Sequence, residues 1–156
     1  MSKNIQYWLM KTEPSSYSID DLVRDQKTFW SGVRNYQARN FIRDTIKPGD
    51  LALIYHSSAE PPGVAGIARV IKEGYPDPTA LDQKDDHYDP KATSQNPIWY
   101  GVGIAIVKKL QRFIPLEEIK KQKELENMMV VKKGARLSIQ PVEKVHFKLI
   151  VEMGKE

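Results

Sequence analysis

The residues with chemistry to offer concentrate in one stretch, TFWSGVRNYQARNFIRDT, residues 28–45. Trp30 stands between Phe29 and Ser31-Gly32, where a sharp turn at the glycine can leave one indole face open. Asn35 is placed to cap a helix, since its side-chain oxygen can accept one of the first unpaired backbone N–H groups. Ala38, Phe41, Ile42 and Thr45 then follow at i, i+3, i+4 and i+7, one stripe of that helix, while Tyr36, Arg39, Asn40 and Arg43 form the opposite stripe. Trp30 and Ser31 lie just ahead of the helix N-terminus, where amide groups and the helix dipole favour an anion. An aromatic plane beside a basic face is what stacking a base and holding its phosphates requires. Trp30, Ser31, Asn35 and Tyr36 are therefore candidate ligand contacts, and Arg34, Arg39 and Arg43 candidate nucleic-acid backbone contacts. The structural alternative is a Trp that plugs the core and arginines on a solvated face. The stretch alone does not decide between them.

Other groups could join that site. Lys11 and Glu13 end one predicted strand, His56-Ser57 ends another, and Trp99 begins a third. Together they offer stacking planes with amide, hydroxyl and charged groups able to read a base edge. A Lys–Glu pair at a rim is more often a structural ion pair than a catalytic one. His56, His87 and His146 follow no ligand spacing, so no metal is expected. There is no cysteine, which excludes disulfides and thiolate catalysis. Neither GxGxxG nor GxxxxGK[ST] is present, so no nucleotide cofactor is expected, and no nucleophile elbow is found. Recognition fits this set better than turnover does.

The elements that must hold these groups can be read in order. Ile5 to Lys11 reads as a strand with Ile5, Tyr7 and Leu9 on one face and Trp8 and Met10 on the other, hence a central one. Ser18 heads a short helix from Ile19 to Asp25, with Asp21 at the capping-box position. Lys47-Pro48-Gly49-Asp50 is a turn leading into a strand from Leu51 to His56. Val64 to Lys72 is a further strand, with Gly66 marking a bulge or bend. Residues 73–97 hold four prolines and a run of acids and read as a long irregular excursion, a kind of loop that tends to be functional. Trp99 to Lys108 is a strong strand, in which Gly101 and Gly103 leave room for a neighbouring backbone or a flat ligand. Pro115 opens a helix from Leu116 to about Lys123. Met128 to Val131 and Leu137 to Gln140 read as short strands. Val142, Val145, His146, Leu149, Ile150 and Met153 trace the buried stripe of a last helix. Strands with short helices between them and no βαβ rhythm predict an α+β fold, a mostly antiparallel, strongly bent sheet or barrel.

At 156 residues the chain is expected to form one domain, 1–156, large enough for a proper core. Hydrophobic content of 40% and charged content of 28% are those of a soluble globular protein. A formal charge of +4 leans mildly toward a polyanionic partner. The start, MSKNIQYWLMK, lacks the pattern of a signal peptide, and no apolar run approaches the ~20 residues of a membrane span. A cytoplasmic monomer, or a nuclear one in a eukaryote, with no membrane contact is the expectation.

Four segments, YWLMKTEPSSYSIDDL, WSGVRNYQARN, KPGDLALIYHS and GIARV, resemble in order and spacing an EVE domain, as carried by the thymocyte nuclear protein family. The likeness runs from about Tyr7 to Gln140, and WSGVRNYQARN is its most specific block. The resemblance implies a PUA-like fold, a bent β-barrel with short peripheral helices. It also implies a non-enzymatic reader of modified nucleobases, with modified cytosine in DNA the usual substrate. The implied pocket involves Trp30-Ser31 and Asn35-Tyr36, with the first and second strand ends contributing. An RNA reader of the same architecture and a small nucleobase- or nucleoside-acting enzyme working through Glu13 or His56 stay open beside it.

Overall fold

The computed structural model describes residues 5–132 and 137–155. Six strands form one sheet: β1 (Tyr7–Thr12), β2 (Lys27–Trp30), β3 (Leu51–His56), β4 (Gly63–Pro76), β5 (Tyr100–Pro115) and β6 (Ile139–Val142). Their order is β2-β5-β4-β3-β1-β6. β1 and β3 run parallel, pairing Tyr7 with Leu51 through Thr12 with His56, and the other neighbours are antiparallel. The sheet is thus mixed and open, ending at β2 and β6, where a mostly antiparallel bent sheet or barrel was expected. Bulges bend it: the β4–β5 register shifts between Val64 and Gly66, and the β3–β4 register between Ile54 and Tyr55. Such shifts coil and sharpen a sheet without closing it.

The alternation in the central strands decides where the core sits. Trp8, Met10, Ala52, Ile54, Ala68, Val70, Val102 and Ile104 face one way and pack with helix α1 (Ile19–Asp25), helix α2 (Tyr36–Asn40) and the turn after it. Leu9, Leu53, Tyr55, Val64, Ile67, Leu110 and Ile114 face the other way and meet helices α3 (Leu116–Lys120) and α4 (Lys144–Met153). Both faces are covered, as apolar residues on both sides of a strand require.

The helix ends follow their capping residues. The Ser18 side chain accepts from the Asp21 N–H, and the Asp21 carboxylate accepts from the Ser18 N–H, a complete capping box. The Asn35 side chain accepts from the Ala38 N–H at 3.0 Å. The expected helix through Thr45 changes geometry after Asn40: Phe41–Thr45 is a π turn closed by Ile46 N–H on the Phe41 carbonyl. The wider turn exposes Thr45 and buries Ile46 below Ile42. The KPGD turn is anchored by Asp50, which accepts from the Lys47 and Gln6 amides and from the Trp8 indole N–H.

Several boundaries depart from the sequence pattern. Met129–Val131 is a 3₁₀ turn instead of a strand, and the last strand begins at Ile139 and includes Pro141, which sits on the edge strand where no donor is needed. β4 and β5 run to 14 and 16 residues. In α4, Phe147 takes the buried place expected of Val145, which is 65% exposed.

Candidate functional site

A cleft of about 670 Å³ opens between the C-terminal end of β1 and the chain leaving β2. Its size is that of a small-ligand site. The turn after β2 shapes it: Gly32 sits at φ +80°, a backbone conformation that favours glycine. A Cβ at Gly32 would lie 2.9 Å from the His87 ring. The glycine therefore both permits the turn and lets the imidazole close over it.

The walls are aromatic. Trp30 lines the cleft yet is only 8% exposed and belongs to the core beneath. Tyr17 meets it at 90°, ring centroids 6.5 Å apart, an edge-to-face pair. The Tyr17 hydroxyl donates to Asp25 at 2.8 Å. Burial, and then that hydrogen bond, push the Tyr17 phenol above its ordinary range. Lys11 also reaches the cleft, and burial lowers its ammonium from the ordinary value. Its Nζ lies 5.7 Å from the Tyr55 ring centroid.

The floor is tied by a buried carboxylate. Asp77 is fully buried and accepts from the Gly32 amide at 2.8 Å, from Arg34 Nη1 at 3.0 Å, and from the Thr79 amide and hydroxyl. Burial is the largest single influence on this carboxyl and pushes it up. The hydrogen bonds from Gly32, Thr79 and Arg34 together outweigh it and hold the group below its ordinary value. Arg34 further donates to the carbonyls of Val33 and His87 and to the Thr79 hydroxyl. Its guanidinium is thus committed to joining the Ser31–Asn35 segment to residues 77–87.

The expected site residues divide. The structure brings Lys11, Glu13, Trp30, Ser31, Arg34 and Asn35 to the cleft, although the Asn35 amide is engaged as a cap. His56 and Ser57 are not in its lining. His56 Nε2 accepts from the Ile19 N–H at 3.1 Å, and burial, opposed by Asp20 and aided by Lys109, lowers its imidazole below the ordinary range. The Ser57 amide donates to the Thr12 carbonyl. Trp99 also lies outside: it is buried, its indole N–H donates to Asp89 at 2.7 Å, and it packs with Ala80 and Ala92 in a small core of its own. That core orders residues 77–97 of the expected excursion, together with a 3₁₀ turn at Pro78–Leu81, while residues 73–76 continue β4. Tyr36 is 59% exposed and stacks on Trp99 at 4.9 Å. Arg39 lies over Tyr36 and donates to the Ile98 carbonyl at 2.7 Å, and Arg43 pairs with Asp44 at 2.8 Å in the open.

Tyr17, Asp77 and His87 were not expected at the site. Nothing in their spacing pairs residue 77 or 87 with residue 32; only the length of the excursion marked it as functional. The room beside Gly101 is also filled by protein: a side chain there would meet Phe29, 2.5 Å from its nearest ring carbon. β2 itself occupies the space beside Gly101, so the neighbour there is backbone and not a flat ligand.

Comparison with known proteins places this geometry in a family. Residues 6–153 match the EVE domain model. Thymocyte nuclear protein 1 of Gallus gallus is 43% identical over 96% of this chain and 69% of its own length, and that of Homo sapiens 40% identical over 99% and 76%. A solved structure of human THYN1 in complex with 5-methylcytosine containing DNA matches with a TM-score of 0.89 at 39% identity, covering 97% of this chain and 98% of that one. A Pseudomonas syringae protein matches with a TM-score of 0.91 at 45% identity, over 95% and 99% of the two chains. The chain belongs to the EVE domain family.

Proposed function

We propose that this protein is a non-catalytic nucleic-acid-binding module that takes one modified base, a 5-methylcytosine in DNA, out of the stack and into the cleft between β1 and the Trp30–Arg34 turn. The observation that carries the reading is the cleft itself, with Trp30 and Tyr17 at right angles and polar groups at the mouth. Its support from outside is the human relative bound to 5-methylcytosine containing DNA. Extruding a base costs a few kcal/mol of unstacking, and stacking on an aromatic wall returns about 1–3 kcal/mol. The remainder comes from contacts to the base edge and from phosphate contacts by Arg39 and Arg43 outside the cleft.

Turnover is disfavoured by the geometry. His56, which an enzyme would pair with Glu13, stands outside the cleft with its Nε2 engaged by a backbone amide. The whole chain, 1–156, acts in this reading as one domain and one binding unit. The test is a panel of otherwise identical oligonucleotides carrying cytosine or 5-methylcytosine, as duplex DNA, single-stranded DNA and RNA. Preference for the methylated duplex over the unmodified one is the expected result. Equal affinity for both overturns the reading, and a preference confined to RNA moves the substrate to that class.

A further inference from the structure

We infer that His87 reads the exocyclic amino group of the captured base, so that the cleft selects an amino-bearing pyrimidine over thymine. This rests on the base-capture reading above and sharpens it. Thymine carries the same 5-methyl group as 5-methylcytosine, so an apolar contact to the methyl cannot separate them. They differ where cytosine presents its N4 amino donor and thymine its O4 acceptor. A cleft that admits one and refuses the other needs a fixed acceptor at that edge.

His87 is held as such a group. Its backbone N–H donates to Asp85 Oδ1 at 2.8 Å, and its Nδ1 lies 3.1 Å from the same oxygen. Its carbonyl accepts from Arg34 Nε at 3.1 Å and from Nη2 at 2.7 Å. The ring lies over Gly32, with Cε1 and Nε2 each 2.9 Å from the point a side chain there would occupy. The backbone is thereby tied to Asp85 and Arg34, and the half-exposed ring is held by Asp85 on one side and lies against Gly32 on the other.

The carboxylate of Asp85 also sets the tautomer. A carboxylate only accepts, so in the neutral ring the proton sits on Nδ1 and Nε2 keeps its lone pair. The Nε2 edge, beside Gly32 in the lining of the cleft, is then an acceptor for an N–H donor of the ligand. Glu13, in the same lining, is a second acceptor, and a carboxylate is a natural partner for cytosine N4. Thymine would set its O4 against these lone pairs, an acceptor facing acceptors with no proton between them.

The test uses the full chain and three duplexes identical but for one position opposite guanine: 5-methylcytosine, cytosine or thymine. Affinities are measured at one fixed pH and ionic strength. The wild type is expected to prefer 5-methylcytosine over thymine. His87→Phe keeps a ring over Gly32 but removes the acceptor. It is expected to reduce that preference at least about fivefold, the lower end for one good base-edge contact, while the preference for 5-methylcytosine over cytosine is kept. His87→Gln restores an amide oxygen and is expected to recover part of the loss. A wild type that does not distinguish 5-methylcytosine from cytosine overturns the base-capture reading and this inference with it. A wild type that does distinguish them, with a 5-methylcytosine-to-thymine ratio unchanged in a folded His87→Phe variant, overturns the inference alone.

Discussion

The two sides of the sheet are built from the same strands and bear different duties. On one side Leu9, Leu53, Ile67 and Ile114 meet α3 and α4. On the other, Trp8, Met10, Ile54 and Ile104 meet α1, α2 and the turn carrying Trp30 and Val33, and this side opens into the cleft. The first core holds none of the residues that line the candidate cleft. The other ends in a residue, Trp30, that is both core and wall. The difference teaches that binding and folding are separable on one side of this molecule and coupled on the other.

The largest expected effect tests the coupled side. Trp30→Ala removes a side chain that is 8% exposed, so it is expected to cost about 3–5 kcal/mol of stability and to abolish preference for a methylated duplex. Trp30→Phe keeps an aromatic wall and is expected to retain part of each. Chemical denaturation and anisotropy on the same samples check the pairing. A Trp30→Ala protein that loses binding with full stability would break the comparison, because Trp30 would then be a wall without being core.

The side under α3 and α4 supplies the complement. Ile150 is fully buried in α4 against that core. Ile150→Ala is expected to cost about 2–5 kcal/mol and to leave the affinity of the folded fraction for DNA unchanged. A shift in base preference at this distance would show that the two sides communicate through the sheet.

Asp77 sharpens the boundary between them, because it supports the cleft floor without lining the cleft. Asp77→Asn replaces one acceptor oxygen with an NH2 that must turn its donors either toward Gly32 and Arg34 or toward Thr79, and is expected to cost about 1–3 kcal/mol. The pH dependence has a definite sign. The carboxyl is held below its ordinary value in the fold, so its contribution is full above the unfolded pKa, near 3.8, and is lost as pH falls through the lower folded value. The gap between wild type and Asp77→Asn should therefore narrow on acidification below about pH 4. Unfolding curves measured between neutral pH and pH 3 would show it, and a gap that widens would contradict the assignment.

What the sequence disclosed follows the same division. Alternation in β1 separated Tyr7 and Leu9 from Trp8 and Met10, and these do enter opposite cores. Ser18 with Asp21, and Asn35 with Ala38, declared their helix starts because capping is a contact between near neighbours in the chain. β2 passed unrecognised: four residues, two of them polar, carry no period of their own, and only pairing with β5 makes them a strand. The parallel β1–β3 pairing was equally invisible, since alternation gives a strand its faces and not its neighbour. For the site, Trp30, Ser31, Lys11 and Glu13 were found because each sits where a strand or turn ends. Asp77 and His87 were hidden because their partners, Gly32 and Arg34, lie 43 to 55 positions away in the chain. Trp99 was placed in the site by residue type, while the Asp89 carboxylate and the small core around it hold it elsewhere.

The smallest expected effect concerns the basic face outside the cleft. Arg43 is on the surface, paired with its neighbour Asp44, whereas Arg39 is tied to the Ile98 carbonyl and lies over Tyr36. An exposed pair between adjacent residues contributes little to folding, so Arg43→Ala is expected to change stability by less than about 0.5 kcal/mol. If the duplex runs across this face, the loss of one phosphate contact should lower the slope of log K against log salt by about 0.9, and by the same amount for cytosine and 5-methylcytosine. Arg39→Ala should lower the slope similarly but also cost some stability, since the Ile98 carbonyl loses its donor. Salt titrations of both variants on both duplexes separate the roles. An unchanged slope in Arg43→Ala would place the phosphates elsewhere and confine recognition to the cleft. A slope that changes only for the methylated duplex would mean this face engages after the base has entered, coupling the outer surface to the open core as Trp30 couples the inner one.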